Sequence, residues 1–318
     1  MGNSKRKMPA LLLIFAIVMT LTACGSREDY KEVYRRQGIQ CLDNDDYQGA
    51  ITAFKNALAS SRGIIKSVDY DINYYLGYSY YLSGNYQDAV SVFSAIIDLK
   101  PGETDAYYYR ALSELKLGMK SEAEQDFMSV TAADPSNYDV YIDIYFCLCD
   151  AGYETDGTSY LKATLENADE MSDYDKGRIC YYLGDYSNSR VYLEKAKDMT
   201  NSDTILFLGK TYEAIADYSY ASSLYNTYLS EKGNNAAVYN QLGVCRMKME
   251  DYPAALAAFS SGLNLEDSEW EQELLYNEAI TYEYMLDFET AESKMAAYLA
   301  KYPKDDAAKR EYEFLGTR

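Results

Sequence analysis

Side chains able to do chemistry are unevenly represented in this chain. There are 50 Asp and Glu, 36 Tyr and 6 Cys, and no His at all. Without histidine, neither a Ser-His-Asp nor a Cys-His nucleophilic site can be assembled, and nearly all catalytic zinc sites are excluded. No GxxxxGK loop and no GxGxxG after a strand is present to cradle a phosphate. Asp43, Asn44, Asp45 and Asp46 have the crowding of a calcium loop, but Tyr47 falls where a third ligand is needed and the glycine comes only at Gly49. They read as a solvated helix cap. Cys41, Cys147, Cys149, Cys180 and Cys245 are irregularly spaced, lack a CxxC pair, and read as small buried apolar groups. A bridge from Cys149 to Cys180 is the one pairing that neighbouring repeats could allow. No enzymatic activity, no metal and no cofactor is expected.

The sixth cysteine stands apart. Lys5, Arg6 and Lys7 precede an apolar run from Met8 to Thr22. That run is shorter than the roughly 20 residues a membrane-spanning helix requires, and it has the layout of a cleaved export signal. It ends on Leu21-Thr22-Ala23-Cys24-Gly25, which resembles a bacterial lipobox. The resemblance implies cleavage after residue 23 and attachment of diacylglycerol, with acyl chains of the palmitate type, to the Cys24 sulfur. Two chains hold stably because each buried methylene contributes about 0.8 kcal/mol. Residues 24–29 then form a short tether of at most about 3.5 Å per residue. The expected location is a bacterial cell membrane or envelope, on the extracytoplasmic face. The net charge of −20 repels nucleic acid and anionic headgroups, so neither is expected as a ligand.

The elements that position the tyrosines follow from an internal period. Leu76, Gly77 and Tyr80, then Gly84, Tyr86, Ala89 and Phe93, close on Pro101. The same frame recurs with small or equivalent anchor positions at 38, 77, 111, 145, 177, 209, 243 and 279, at intervals of 39, 34, 34, 32, 32, 34 and 36. A small residue at the anchor and an alanine in the next helix (Ala50, Ala89, Ala123, Ala221, Ala255, Ala291) let two helices approach closely. Gly84, Gly118, Gly152 and Gly184 end the first helix of a pair, and Pro101, Pro135 and Pro303 fall at repeat ends. The unit resembles the tetratricopeptide repeat, a helix–turn–helix of about 34 residues. The resemblance implies an all-α, right-handed superhelical solenoid of about eight repeats over residues 30–305, closed by a C-terminal capping helix over 306–318.

In that repeat family the concave wall comes from positions three before the anchor and one, four and five after it. Carried onto this chain, the resemblance places Tyr74, Tyr78, Tyr81, Tyr108, Phe146, Tyr174, Arg178, Tyr181, Lys210 and Asn240 in the groove. Tyrosine combines a large apolar face with a polar tip at low entropic cost, so such a wall suits a protein or peptide partner. The Lys and Asn clamp that other members use for a peptide's terminal carboxylate is absent, because Arg35 and Ile39 are followed by Tyr74 and Tyr78. The expected function is therefore a membrane-anchored scaffold or adaptor. Two other readings fit the same features: a carbohydrate-binding lipoprotein, and an envelope-assembly factor for outer-membrane proteins or pili.

Overall fold

A computed structural model describes residues 27–60, 66–167, 170–198, 200–265 and 269–318. Among these residues there are seventeen α-helices and no strand. They run as eight pairs: α1 (Arg27–Asp43) with α2 (Tyr47–Ala59), α3 (Ser67–Leu82) with α4 (Tyr86–Leu99), α5 (Thr104–Lys116) with α6 (Lys120–Ala133), and α7 (Tyr138–Asp150) with α8 (Glu154–Asn167). The series continues with α9 (Asp173–Tyr182) and α10 (Tyr186–Ala196), α11 (Ser202–Ala214) and α12 (Tyr218–Lys232), α13 (Ala236–Lys248) and α14 (Tyr252–Leu263), and α15 (Glu271–Tyr284) and α16 (Phe288–Lys301). A last helix, α17 (Asp306–Leu315), packs on α16 and buries Ala308 and Leu315. The all-helical repeat architecture expected from the period is thus what the chain adopts.

The pairing has a simple steric cause. Sixteen residues after each anchor stands a large side chain, and Phe54, Phe93, Phe127, Leu161, Leu193, Tyr225, Phe259 and Met295 are all buried. Where the anchor is glycine, that side chain occupies the space a Cβ would need. A Cβ on Gly209 would lie 2.2 Å from Tyr225 Cζ, and one on Gly38 would lie 2.4 Å from Phe54 Cε1. The fourth pair departs from this. Tyr145 holds the anchor, and Gly157 stands in the second helix where the other pairs carry alanine or serine; a Cβ on it would lie 3.1 Å from the Tyr145 carbonyl oxygen.

The turn inside each pair is equally uniform. Seven residues after the anchor the backbone is left-handed in all eight pairs, at Asp45, Gly84, Gly118, Gly152, Gly184, Ala216, Glu250 and Leu286. In five pairs the next residue is an aspartate whose carboxylate accepts a hydrogen bond from the third amide of the second helix, as Asp46 does from Gly49 N–H. Asp45 and Asp46, in the cluster read as a solvated helix cap, are a turn residue and its cap.

The chain divides into two compact units, one ending at Gly157 and the other beginning at Thr158. Within the first, first helices approach one another, α1 with α3 and α3 with α5. Within the second, α9 approaches α11, α11 approaches α13, and α13 approaches α15. Among the described residues no two successive second helices come as close, so in each unit the first-helix layer lies on the inner side of the curvature.

Candidate functional site

On α3, Tyr74, Tyr78 and Tyr81 share one face because they are spaced four and three residues apart. From α5 the Tyr109 ring enters between them. Its centroid lies 5.1 Å from that of Tyr78, 5.9 Å from Tyr74 and 6.0 Å from Tyr81, each roughly edge to face. It also stacks on Phe93 at 5.9 Å and meets Tyr108 edge-on at 5.7 Å. Pairs of this geometry contribute about 0.5–1.5 kcal/mol each beyond their buried area. Tyr108 leans onward, its ring 6.0 Å from Phe127 and its hydroxyl 3.4 Å from Cys147 Sγ on α7.

This corrects the picture of an open tyrosine wall. The four rings are half-buried and packed into one another. Burial, with neighbouring phenols and carboxylates, raises the hydroxyls of Tyr74, Tyr81 and Tyr108 above the ordinary phenol range. The hydroxyls of Tyr78 and Tyr81 bond to no described residue and are not sealed from water. Phe146 is the exposed member of the set, at 41 %, with its ring 5.1 Å from Tyr145.

The second unit holds a smaller cluster. Phe207 on α11 lies 6.1 Å from Tyr174, 5.9 Å from Tyr181 and 5.8 Å from Tyr182 on α9. The Arg178 guanidinium sits 5.1 Å from the Tyr174 ring and 5.4 Å from Phe207, with Asp175 at 3.6 Å. Lys210 Nζ stands 5.8 Å from the same Phe207 ring. Four of the expected residues therefore converge on one that was not expected. Asn240 belongs elsewhere. It is 7 % exposed and its Oδ1 accepts a hydrogen bond of 2.9 Å from Asn277 Nδ2, so it ties α13 to α15 and does not face an open groove.

Tyr109 and Phe207, the two hubs, occupy the same register, two residues before an anchor. At that register the side chain leans back onto the preceding first helix. Tyr75 stacks on Phe54 at 5.8 Å and lies 6.0 Å from the Arg35 guanidinium, Gln241 donates to Glu213 at 3.0 Å, and Asn277 donates to Asn240. Aromatic residues at 75, 109 and 207 were the available signal.

Chemistry beyond packing is sparse. Among the described residues no three His, Cys, Asp or Glu side chains gather to hold a metal. The thiols of Cys41, Cys147, Cys149, Cys180 and Cys245 are free, so the pairing of Cys149 with Cys180 is not formed. No described helix is long and apolar enough to cross a membrane. The export signal and Cys24 lie outside the described residues.

Comparison with known proteins agrees with this geometry. A tetratricopeptide-repeat profile matches residues 36–104 and 83–138, and a second one matches residues 174–203. Those segments carry tetratricopeptide repeats. A tetratricopeptide repeat protein from Parabacteroides merdae ATCC 43184 is similar over 90% of this chain and 99% of its own, at 13% identity and a TM-score of 0.52. At that identity the likeness is one of fold. The APC/C hetero-tetramer Cut9–Hcn1 gives a TM-score of 0.44 at 18% identity, covering 85% of this chain and 52% of that one.

Proposed function

We propose that this chain is a lipid-anchored repeat scaffold that holds a protein or peptide partner against the first-helix wall of its first unit, at the extracytoplasmic face of a bacterial membrane. The observation that carries the docking surface is the Tyr109-centred cluster. Packing alone does not call for so many hydroxylated rings on the inner layer, with the Tyr78 and Tyr81 hydroxyls left to water. Rigid, half-exposed tyrosines are suited to holding another chain with little loss of entropy. The anchoring rests on the sequence Leu21-Thr22-Ala23-Cys24 alone.

Two measurements test the two parts. Affinity capture from detergent-solubilised envelope, with the full chain as bait, should retain a protein that Tyr78→Ala/Phe146→Ala bait loses while its helical circular dichroism stays unchanged. Equal retention by both baits would remove the wall from consideration. Metabolic labelling with a palmitate analogue should mark the wild-type chain and leave Cys24→Ser unlabelled and in the aqueous phase of a detergent partition. Label on the Cys24→Ser chain would move the lipid to another residue.

A further inference from the structure

At the end of the second unit, α15, α16 and α17 border an open cavity of about 410 Å³. Gln272, Glu273, Tyr276 and Asn277 reach it from α15, Tyr298 from α16, and Asp305 from the cap of α17. Its amide donors are already spent. Gln272 Nε2 donates to the Tyr298 hydroxyl at 2.9 Å, that hydroxyl donates to Asp305 at 2.6 Å, and Asn277 Nδ2 donates to Asn240 at 2.9 Å. Asp305 is spent too, since it also accepts from the Ala307 and Ala308 amides. Besides the Tyr276 hydroxyl, what remains are acceptors: Gln272 Oε1, Asn277 Oδ1 and the exposed Glu273 carboxylate, none of which meets a donor among the described residues.

The charges around the cavity point the same way. No Lys or Arg lines it. Lys294, Lys301 and Lys309 are held by Glu278, Glu271 and Asp306 at 2.8, 2.6 and 2.7 Å, and Lys304 is engaged as well. Arg310, exposed on α17 and outside the lining, acts on Asp305 and Asp306, whose own hydrogen bonds are made within α17 and to Tyr298. Burial first, then Glu311, Asp305 and Glu283, raise the Tyr276 hydroxyl above the ordinary phenol range. The full charge of Glu273 exceeds the roughly half positive charge of the helix end on which it stands. An anion would therefore be repelled. A primary ammonium has three N–H groups for three acceptors, gains a charge-assisted bond to the carboxylate, and is attracted by a tyrosine face.

We propose that this cavity binds a primary ammonium group, held by Glu273, Gln272 Oε1 and Asn277 Oδ1 against the Tyr276 ring. The site is independent of the first-unit wall and of the lipid anchor. The test is a saturation-transfer NMR titration of the full chain in mild detergent at pH 7, with n-butylammonium, tetramethylammonium and n-butanol as probes. The first should bind, the second more weakly for want of N–H groups, and the alcohol not at all at the same concentrations. Glu273→Gln should weaken n-butylammonium by about two- to fivefold. Tyr276→Leu, which keeps apolar bulk, should weaken it with helical circular dichroism unchanged, and Asp203→Asn on α11 should leave it as it was. A blocked Gly-Ser peptide with one lysine that binds more tightly than n-butylammonium would assign the ammonium to a partner's side chain; the reverse order would assign it to a free amine. No binding of either, equal binding of n-butanol or tetramethylammonium, no effect of Glu273→Gln, or an equal effect of Asp203→Asn would overturn the proposal.

Discussion

Glu114 is a carboxylate in the interior of α5, and its one cation is committed elsewhere. It is 5 % exposed. Arg110 turns its fork to Asp126, with bonds of 2.6 and 2.7 Å, gives a third hydrogen bond to Ser94, and leaves Nε 3.8 Å from Glu114. Burial first, and then the charge of Asp126, push the Glu114 carboxyl up to about 7, with Arg110 pulling the other way. A folded-state value above the unfolded one means that the native chain binds the extra proton. Glu114 is therefore harmless below the ordinary glutamate range, and it costs stability progressively as pH rises from there through 7. Glu114→Gln should raise the denaturant midpoint at pH 8 by the equivalent of about 1–2 kcal/mol and change it little at pH 4.5. An equal gain at both pH values would mean that shape, and not charge, is at issue.

At the scale of the helix pair, the turn is the element that sets the register. Four of the eight left-handed positions are not glycine, and Leu286, at φ 62° and 72 % exposed, combines backbone strain with an apolar side chain in water. An L-residue there costs about 1–2 kcal/mol over its right-handed form, whereas glycine adopts it freely. Leu286→Gly should therefore raise the melting temperature, since little packing is lost and strain is relieved. A lower melting temperature would show that the leucine side chain has a contact worth more than the strain.

The pairs also show what could be read in advance. Anchors, turn glycines and closing prolines made the second and third units plain, because each lies within one or two residues of the repeat pattern. The fourth was faint because the bulky Tyr145 stands at the anchor and glycine falls instead at 157, where the other pairs have alanine or serine. The wall was legible only in part. Positions facing the groove were placed on a single helix, but Tyr109 and Phe207 act on the helix of the preceding pair, and a pattern scored one repeat at a time does not register that. Asn240 failed for the same reason, since Asn277 comes from the pair that follows.

Over the whole molecule, charge is the dominant surface property. With 50 acids against 30 bases and no histidine, the chain of net charge −20 repels itself throughout the neutral range. The Debye length falls from roughly 30 Å at 0.01 M to about 8 Å at physiological ionic strength, which screens repulsion between neighbouring exposed carboxylates. The melting temperature should rise with added NaCl and rise equally with KCl. A decrease would mean that attractive pairs such as Lys301 with Glu271, at 2.6 Å, outweigh the repulsion.

The backward lean of the residues at 75, 109, 207, 241 and 277 also gives the array a direction in time. A chain is made from its N-terminus, and its leading portion can begin to fold before the rest has appeared. Tyr74, Tyr78 and Tyr81 stay without their cover until α5 brings Tyr109, and Tyr174 and Tyr181 wait likewise for Phe207 on α11. Within each unit, the growing end thus presents an unfinished first-helix face that the next pair to arrive covers.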